Sequence, residues 1–194
     1  MRVFLAVPGD PDWVASAREF GARWRPVLPP AAWTKPESWH LTLRFLGEIE
    51  ETAAARFAEA LTAEAAIPEA ALPPGGPVVF PPHGRPRVAG IGFAPGAGVD
   101  ALAAVARTAE RAARAIGCDP EDRPYRPHVT LARMRESWGR EAVETFREAA
   151  AAWSFPAWRA QSVVLYASRL DPSGAVHTPL REWTAAAEAR GRTA

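Results

Sequence analysis

The residues in this chain best suited to chemistry come as two matched sets, His40-Leu41-Thr42-Leu43 and His128-Val129-Thr130-Leu131, 88 positions apart. Histidine changes charge near neutrality, so one imidazole can accept a proton while a second, already charged, donates one. A hydroxyl two residues further on can bond the non-bridging oxygens of a phosphoryl group held between the two rings. The combination suits an in-line displacement at phosphorus, with a base on the attacking side and an acid on the leaving side.

The elements that must position these groups read as strands. Side chains alternate faces along a strand, so each set sends its His and Thr to one face and its apolar residues into a core. Trp39 to Leu46 alternates, is rich in β-formers and stops at Gly47, and Pro127 keeps Arg126 out of the helical region. By the same parity Arg44 shares a face with His40 and Thr42 and is the groove cation expected from alternation. Arg133 points away from His128 and Thr130 unless a bulge or the strand's end redirects it.

The segments C-terminal to the two sets repeat as well. After His40 come a helical stretch from about Thr52 to Ala66 and a strand pair near Leu72–Phe80 and Arg87–Phe93. After His128 come a helical stretch from about Arg140 to Ala152 and a strand pair near Arg159–Ser168 and Ala175–Trp183. The offset that maps His40 onto His128 maps Phe80 onto Ser168, as an old duplication would. A first strand, Arg2–Val7, leads into a helix capped by Asp10, with Pro11 at its first position, running toward Trp24. An Ala-rich helix from about Val99 to Ile116, ended by Gly117, joins the repeats. Residues 118–127 read as a solvated connector in preference to a lid, and 185–194 as a helical tail.

The 194 residues, 48% hydrophobic and 23% charged, suit one soluble globular domain, or two small lobes sharing a sheet system, and exclude disordered and fibrous classes. A net charge of +1 excludes a strong global attraction to polyanions. All 23 basic residues except Lys35 are arginine; guanidinium forks suit phosphate, although a coding bias toward Arg, Ala and Pro produces the same imbalance. Cys118 stands alone, which excludes an intrachain disulfide and a cysteine metal cluster. Catalytic zinc needs three protein ligands, yet no His-x-x-x-His pair occurs and His83 and His177 lie in dissimilar contexts, so neither metal nor cofactor is expected. Val3–Val7 is too short to span a membrane. A cytoplasmic monomer is the expectation.

These motifs resemble the 2H phosphoesterase family, in particular its RNA 2′,3′-cyclic phosphodiesterase branch, also called 2′-5′ RNA ligase-like proteins. The resemblance covers nearly all of residues 1–194. It rests on Arg2-Val3-Phe4-Leu5-Ala6-Val7, His40 to Glu48, Arg126-Pro127-His128-Val129-Thr130-Leu131-Ala132-Arg133, Leu165-Tyr166-Ala167-Ser168 and Thr178-Pro179-Leu180-Arg181-Glu182-Trp183. It implies a bilobal α+β fold in which two related antiparallel sheets form a central groove, helices cover the outer faces, and motif strands at about 38–46 and 127–133 face each other. It further implies hydrolysis of a 2′,3′-cyclic phosphate on an RNA end or small nucleotide to a 2′-phosphate, with reversible 2′-5′ ligation as a side activity. His40 would be the proton donor and His128 the proton acceptor. Thr42, Thr130 and Arg133 would hold the phosphate; Arg44, from strand parity and not from the resemblance, and Arg126 and Phe4 are further candidate substrate contacts. Relatives often carry a bulky aromatic where Arg87 to Phe93 is small, so base contacts would come from elsewhere, such as Phe4 or Trp39. The alternatives are a phosphodiesterase for a 2′-5′ oligonucleotide or an ADP-ribose cyclic phosphate, and a nucleotide- or RNA-binding module without turnover. Pure binding does not need two proton-transfer groups.

Overall fold

The computed structural model describes residues 1–171 and 174–185. From residue 186 onward, the tail read as helical lies outside the described residues. Helix α1, Pro11–Trp24, starts where the sequence places it: the Asp10 carboxylate accepts the Trp13 N–H at 2.9 Å, and Pro11 occupies the first position. Helices α2 (Glu51–Glu64), α3 (Ala97–Ala115) and α4 (Arg140–Ala152) fall within two residues of their expected bounds. Gly117, at φ +91°, turns the chain just beyond α3, a conformation that favours glycine. Among the described residues no helix is long and apolar enough to cross a membrane.

The strands are β1 (Arg2–Pro8), β2 (Ala32–Trp33), β3 (His40–Glu48), β4 (Ala70–Leu72), β5 (Pro74–Phe80), β6 (Val88–Phe93), β7 (His128–Arg133), β8 (Trp158–Ala160), β9 (Ser162–Asp171) and β10 (Gly174–Thr184). They form two antiparallel four-stranded sheets, ordered β10-β9-β1-β3 and β2-β7-β6-β5, with β4 and β8 as a separate pair. The repeats have exchanged strands. The pair that comes after the first motif, β5 and β6, lies beside the second motif strand β7, while the pair that comes after the second motif joins β1 and β3. Each sheet therefore needs both repeats, and the two motif strands are brought against each other.

Alternation fixes which side chains each sheet buries. Val3, Leu5 and Val7 on β1, Leu41 on β3, and Val129 and Leu131 on β7 are fully buried, while His40 and Thr42 on β3 and His128 and Thr130 on β7, on the opposite face, are half-buried. Helices α2 and α3 cover the outer face of the first sheet, with α3 packed on β3; α4 packs on β5 and against α1. An aromatic cluster in which Trp13 stacks on Phe155 and meets Trp39 and Trp158 closes the core.

Candidate active site

Both motif strands carry a bulge at the same place. In β3, Thr42 pairs with Ala6 and Arg44 with Leu5, leaving Leu43 as the extra residue. In β7, Thr130 pairs with Gly90 and Ala132 with Ala89, leaving Leu131 extra. One inserted residue inverts the side-chain parity beyond it. Ala132 and Arg44 therefore turn toward the core, and Arg133 and Phe45 turn toward the groove.

This reverses the expectation that Arg44 is a groove cation. Arg44 is 8% exposed; its Nε lies 2.6 Å from Glu110 Oε2 on α3, and its terminal nitrogens donate to the Phe45 and Asp119 carbonyl oxygens. Arg133, at the repeat position equivalent to Phe45, is exposed, and its charge opposes protonation of both His40 and His128. Among the described residues it has no carboxylate partner.

The two histidines are held alike. His40 Nδ1–H donates to the Ser38 carbonyl oxygen and His128 Nδ1–H to the Arg126 carbonyl oxygen, each at 2.8 Å. A carbonyl only accepts, so both rings carry hydrogen on Nδ1 and keep Nε2 for the groove. Each ring also rests on an aromatic: His40 on Phe4, with centroids 4.8 Å apart, and His128 on Phe80 at 4.7 Å. Thr42 and Thr130 are half-buried beside them.

Burial pushes the His40 pKa down to about 4; the Ser38 carbonyl opposes the fall, and positive charge on His177, Arg133 and His128 adds to it. His128 is also lowered, by burial first and then by Arg133, against the Arg126 carbonyl. In the free protein both imidazoles are therefore neutral at pH 7.

Phe4 is placed differently from the expected base contact. At 3% exposure, beneath His40, Phe45, Tyr166 and His177, it supports His40 from below and offers no face to a nucleobase. Trp39, at 5%, is core as well. Phe45, 46% exposed, and Tyr166, half-buried and opposite Phe4 in register, are accessible rings on the groove face of that sheet. On the other sheet a cleft of about 230 Å³ beside His128 is lined by Val78, Phe80, Pro82, Arg126, Pro127 and Arg147, which leaves the Arg126 side chain at the rim of the site. The small residues of β6 have a steric cause at one point: a Cβ on Gly90 would sit 2.3 Å from the Val129 carbonyl oxygen.

One residue escaped the sequence reading. His177 on β10 meets the His40 ring edge-on at 5.4 Å and the Phe4 ring at 4.9 Å. Its position depends on how β10 registers against β9, which no local motif encodes. Among the described residues no cluster of three His, Cys, Asp or Glu side chains is placed to hold a metal ion.

This arrangement agrees with the proteins that the chain is similar to. The LigT-like phosphoesterase pattern matches it twice, over residues 15–89 and 93–177, one match for each motif. An RNA 2′,3′-cyclic phosphodiesterase of Aeropyrum pernix is 31% identical over 83% of this chain and 90% of its own length. One from Escherichia coli is 32% identical over 94% of this chain and 95% of its own. Among solved structures, a Thermus thermophilus protein superposes with a TM-score of 0.76 at 26% identity, covering 95% of this chain and 98% of the other. Escherichia coli LigT gives 0.71 at 20% identity over 94% and 96%, a likeness of fold. With two motif strands facing one groove and both halves of the chain matching one pattern, the chain belongs to the LigT-like phosphoesterase family.

Proposed function

We propose that this protein hydrolyses 2′,3′-cyclic phosphates on RNA ends or small nucleotides to 2′-phosphates, using His128 as general base and His40 as general acid. The observation that carries the reading is the matched pair of Nδ1-anchored imidazoles, each beside a threonine, with Arg133 turned toward them by a bulge. Names of relatives that cover most of the chain support the substrate class. His128 Nε2 takes a proton from water as the water oxygen attacks phosphorus. The P–O3′ bond breaks on the opposite side, and the departing oxygen receives the proton on His40 Nε2. Thr42 and Thr130 donate to the non-bridging oxygens, and Arg133 offsets their charge. The seated phosphate anion also raises the His40 pKa, which populates the donor form in the complex. Assignment of acid and base rests on the family; the duplicated half-sites are otherwise equivalent. A 5′-hydroxyl in place of water would form a 2′-5′ linkage by the same two proton transfers, with hydrolysis favoured in water.

The direct test is hydrolysis of the four nucleoside 2′,3′-cyclic phosphates in excess EDTA. The expected product is the 2′-phosphate, at a rate unaffected by chelator. A 3′-phosphate product would reverse the leaving oxygen, and loss of activity on chelation would overturn the two-histidine mechanism.

The lowered pKa values of the two imidazoles set the pH dependence. Turnover needs one imidazole charged and one neutral, so kcat/KM should trace a bell whose limbs belong to the pair in the free protein. Both values are lowered, so the acid limb lies near 4 and the alkaline limb below 6.5, with activity falling as pH rises beyond it. The kcat optimum should sit at higher pH, because bound phosphate raises both. An alkaline limb for kcat/KM at pH 7.5 or above would contradict this picture.

A further inference from the structure

Beyond the aromatic floor under His40, one row of residues across the first sheet is polar. Glu48 on β3, Arg2 on β1, Ser168 on β9 and His177 on β10 are directly opposed in register. They lie on the groove face. Val3, Leu5 and Val7 fill the core, so Arg2 shares the face of Phe4, and His177 touches Phe4 and His40 from that same side. Directly opposed residues on antiparallel strands hold their Cβ atoms about 4.5–5.5 Å apart. Guanidinium, hydroxyl and imidazole therefore form one continuous surface that starts beside His40.

Among the described residues the hydrogen-bonding capacity of those three side chains is unused. Among the described residues Arg2 makes no ion pair, since Glu48, its nearest carboxylate in the row, meets the N-terminal ammonium at 3.6 Å. Among the described residues neither the Ser168 hydroxyl nor the half-buried His177 ring makes a hydrogen bond; His177 Nδ1 is shielded from solvent, which leaves Nε2 as the ring atom for a ligand. The charge on Arg2 reaches Arg133 and opposes its protonation, so two cations share this end of the groove. Half-buried Ser168 and exposed Arg2 leave the row open to a ligand.

We propose that Arg2, Ser168 and His177 form a second anion subsite that seats the phosphate on the 5′ side of the reacting nucleotide. The protein would thereby act on RNA ends in preference to bare nucleoside cyclic phosphates. This rests on the phosphodiesterase reading. A guanidinium fork with adjacent hydroxyl and imidazole donors matches a phosphate's several oxygens. From Phe4 to Arg2 is a two-residue step along β1, about 7 Å. A substrate reaching from the histidines to the row therefore extends past its cyclic phosphate along the chain.

The test compares wild type, Arg2→Gln and Ser168→Ala on uridine 2′,3′-cyclic phosphate, its 5′-phosphorylated form, and a dinucleotide ending in the cyclic phosphate. Wild type should show kcat/KM at least about tenfold higher for the dinucleotide than for the bare nucleoside cyclic phosphate. Arg2→Gln should erase most of that ratio through KM and reduce the salt slope for the dinucleotide by about one. Ser168→Ala should act in the same direction by a few-fold. A gain shared by the 5′-phosphorylated nucleotide assigns the subsite to any phosphate at that position; a gain confined to the dinucleotide but removed by Arg2→Gln assigns it to the diester. Equal effects of Arg2→Gln on all three substrates, or none on any, would overturn the subsite. Failure of wild type on all three would instead sink the phosphodiesterase reading itself.

Discussion

Replacing either His40 or His128 by alanine is expected to lower kcat by about 10²–10⁴-fold, the usual value of one positioned proton transfer. Affinity for a 2′-nucleotide product should change by less than about tenfold, since Thr42, Thr130 and Arg133 remain. The structure makes the substitution clean. Among the described residues each ring is tied to the protein through Nδ1 and through ring contacts, with Phe4 and His177 for His40 and with Phe80 for His128, and its Nε2 has no hydrogen-bond partner to leave stranded. The double variant should be barely slower than the worse single one, because two groups that exchange protons in one displacement act as a unit. Steady-state kinetics on the single and double variants, with product affinity by calorimetry, decide the matter. A loss below tenfold in either single variant would mean that its imidazole transfers no proton in the rate-limiting step. Loss of affinity in step with kcat would mean that the rings bind the substrate rather than turn it over.

Much of this site was legible in the sequence because its parts are local. The spacing of His and Thr across one intervening residue fixes their common face, and the flanking apolar residues fix which face is buried. The Asp10 cap, the helix bounds and the duplication were readable for the same reason. Strand exchange was not, because a strand carries its pattern of burial but not the identity of its partner. Arg44 and Arg133 show the sharper limit. A period of two assigns the first to the groove and the second away from it; one extra residue in each ladder, Leu43 and Leu131, reverses both. Family resemblance ranked Arg133 first where alternation ranked Arg44 first; the bulge turns Arg133 toward the groove and Arg44 into the core. His177 was invisible because it reaches His40 only through the pairing of β10 with β9. Phe4, expected as a base contact, is instead buried under four rings packed over it, which no single strand reveals.

The second large effect concerns stability and distinguishes the two readings of Arg44. Arg44→Ala removes the cation that pairs β3 with Glu110 on α3 and the donors that satisfy the Phe45 and Asp119 carbonyl oxygens. Breaking one side of a buried pair costs about 3–5 kcal/mol. The Glu110 side chain is a quarter exposed, so the stranded carboxylate regains some water and the lower end, about 3 kcal/mol, is expected. For a chain of this size that corresponds to a Tm fall of roughly 6–12 °C. At 25 °C the folded variant should keep kcat/KM within a few-fold of wild type, because the groove face at this point belongs to Phe45. Removing both charges, as Arg44→Met with Glu110→Leu, should recover a substantial part of the loss, since two apolar groups leave no buried ion without a partner. A groove cation would behave in the opposite way. If Arg44→Ala kept its Tm but lost 10²-fold or more in kcat/KM, the guanidinium would have to reach the substrate, and the bulge that turns it into the core would not persist in the working protein.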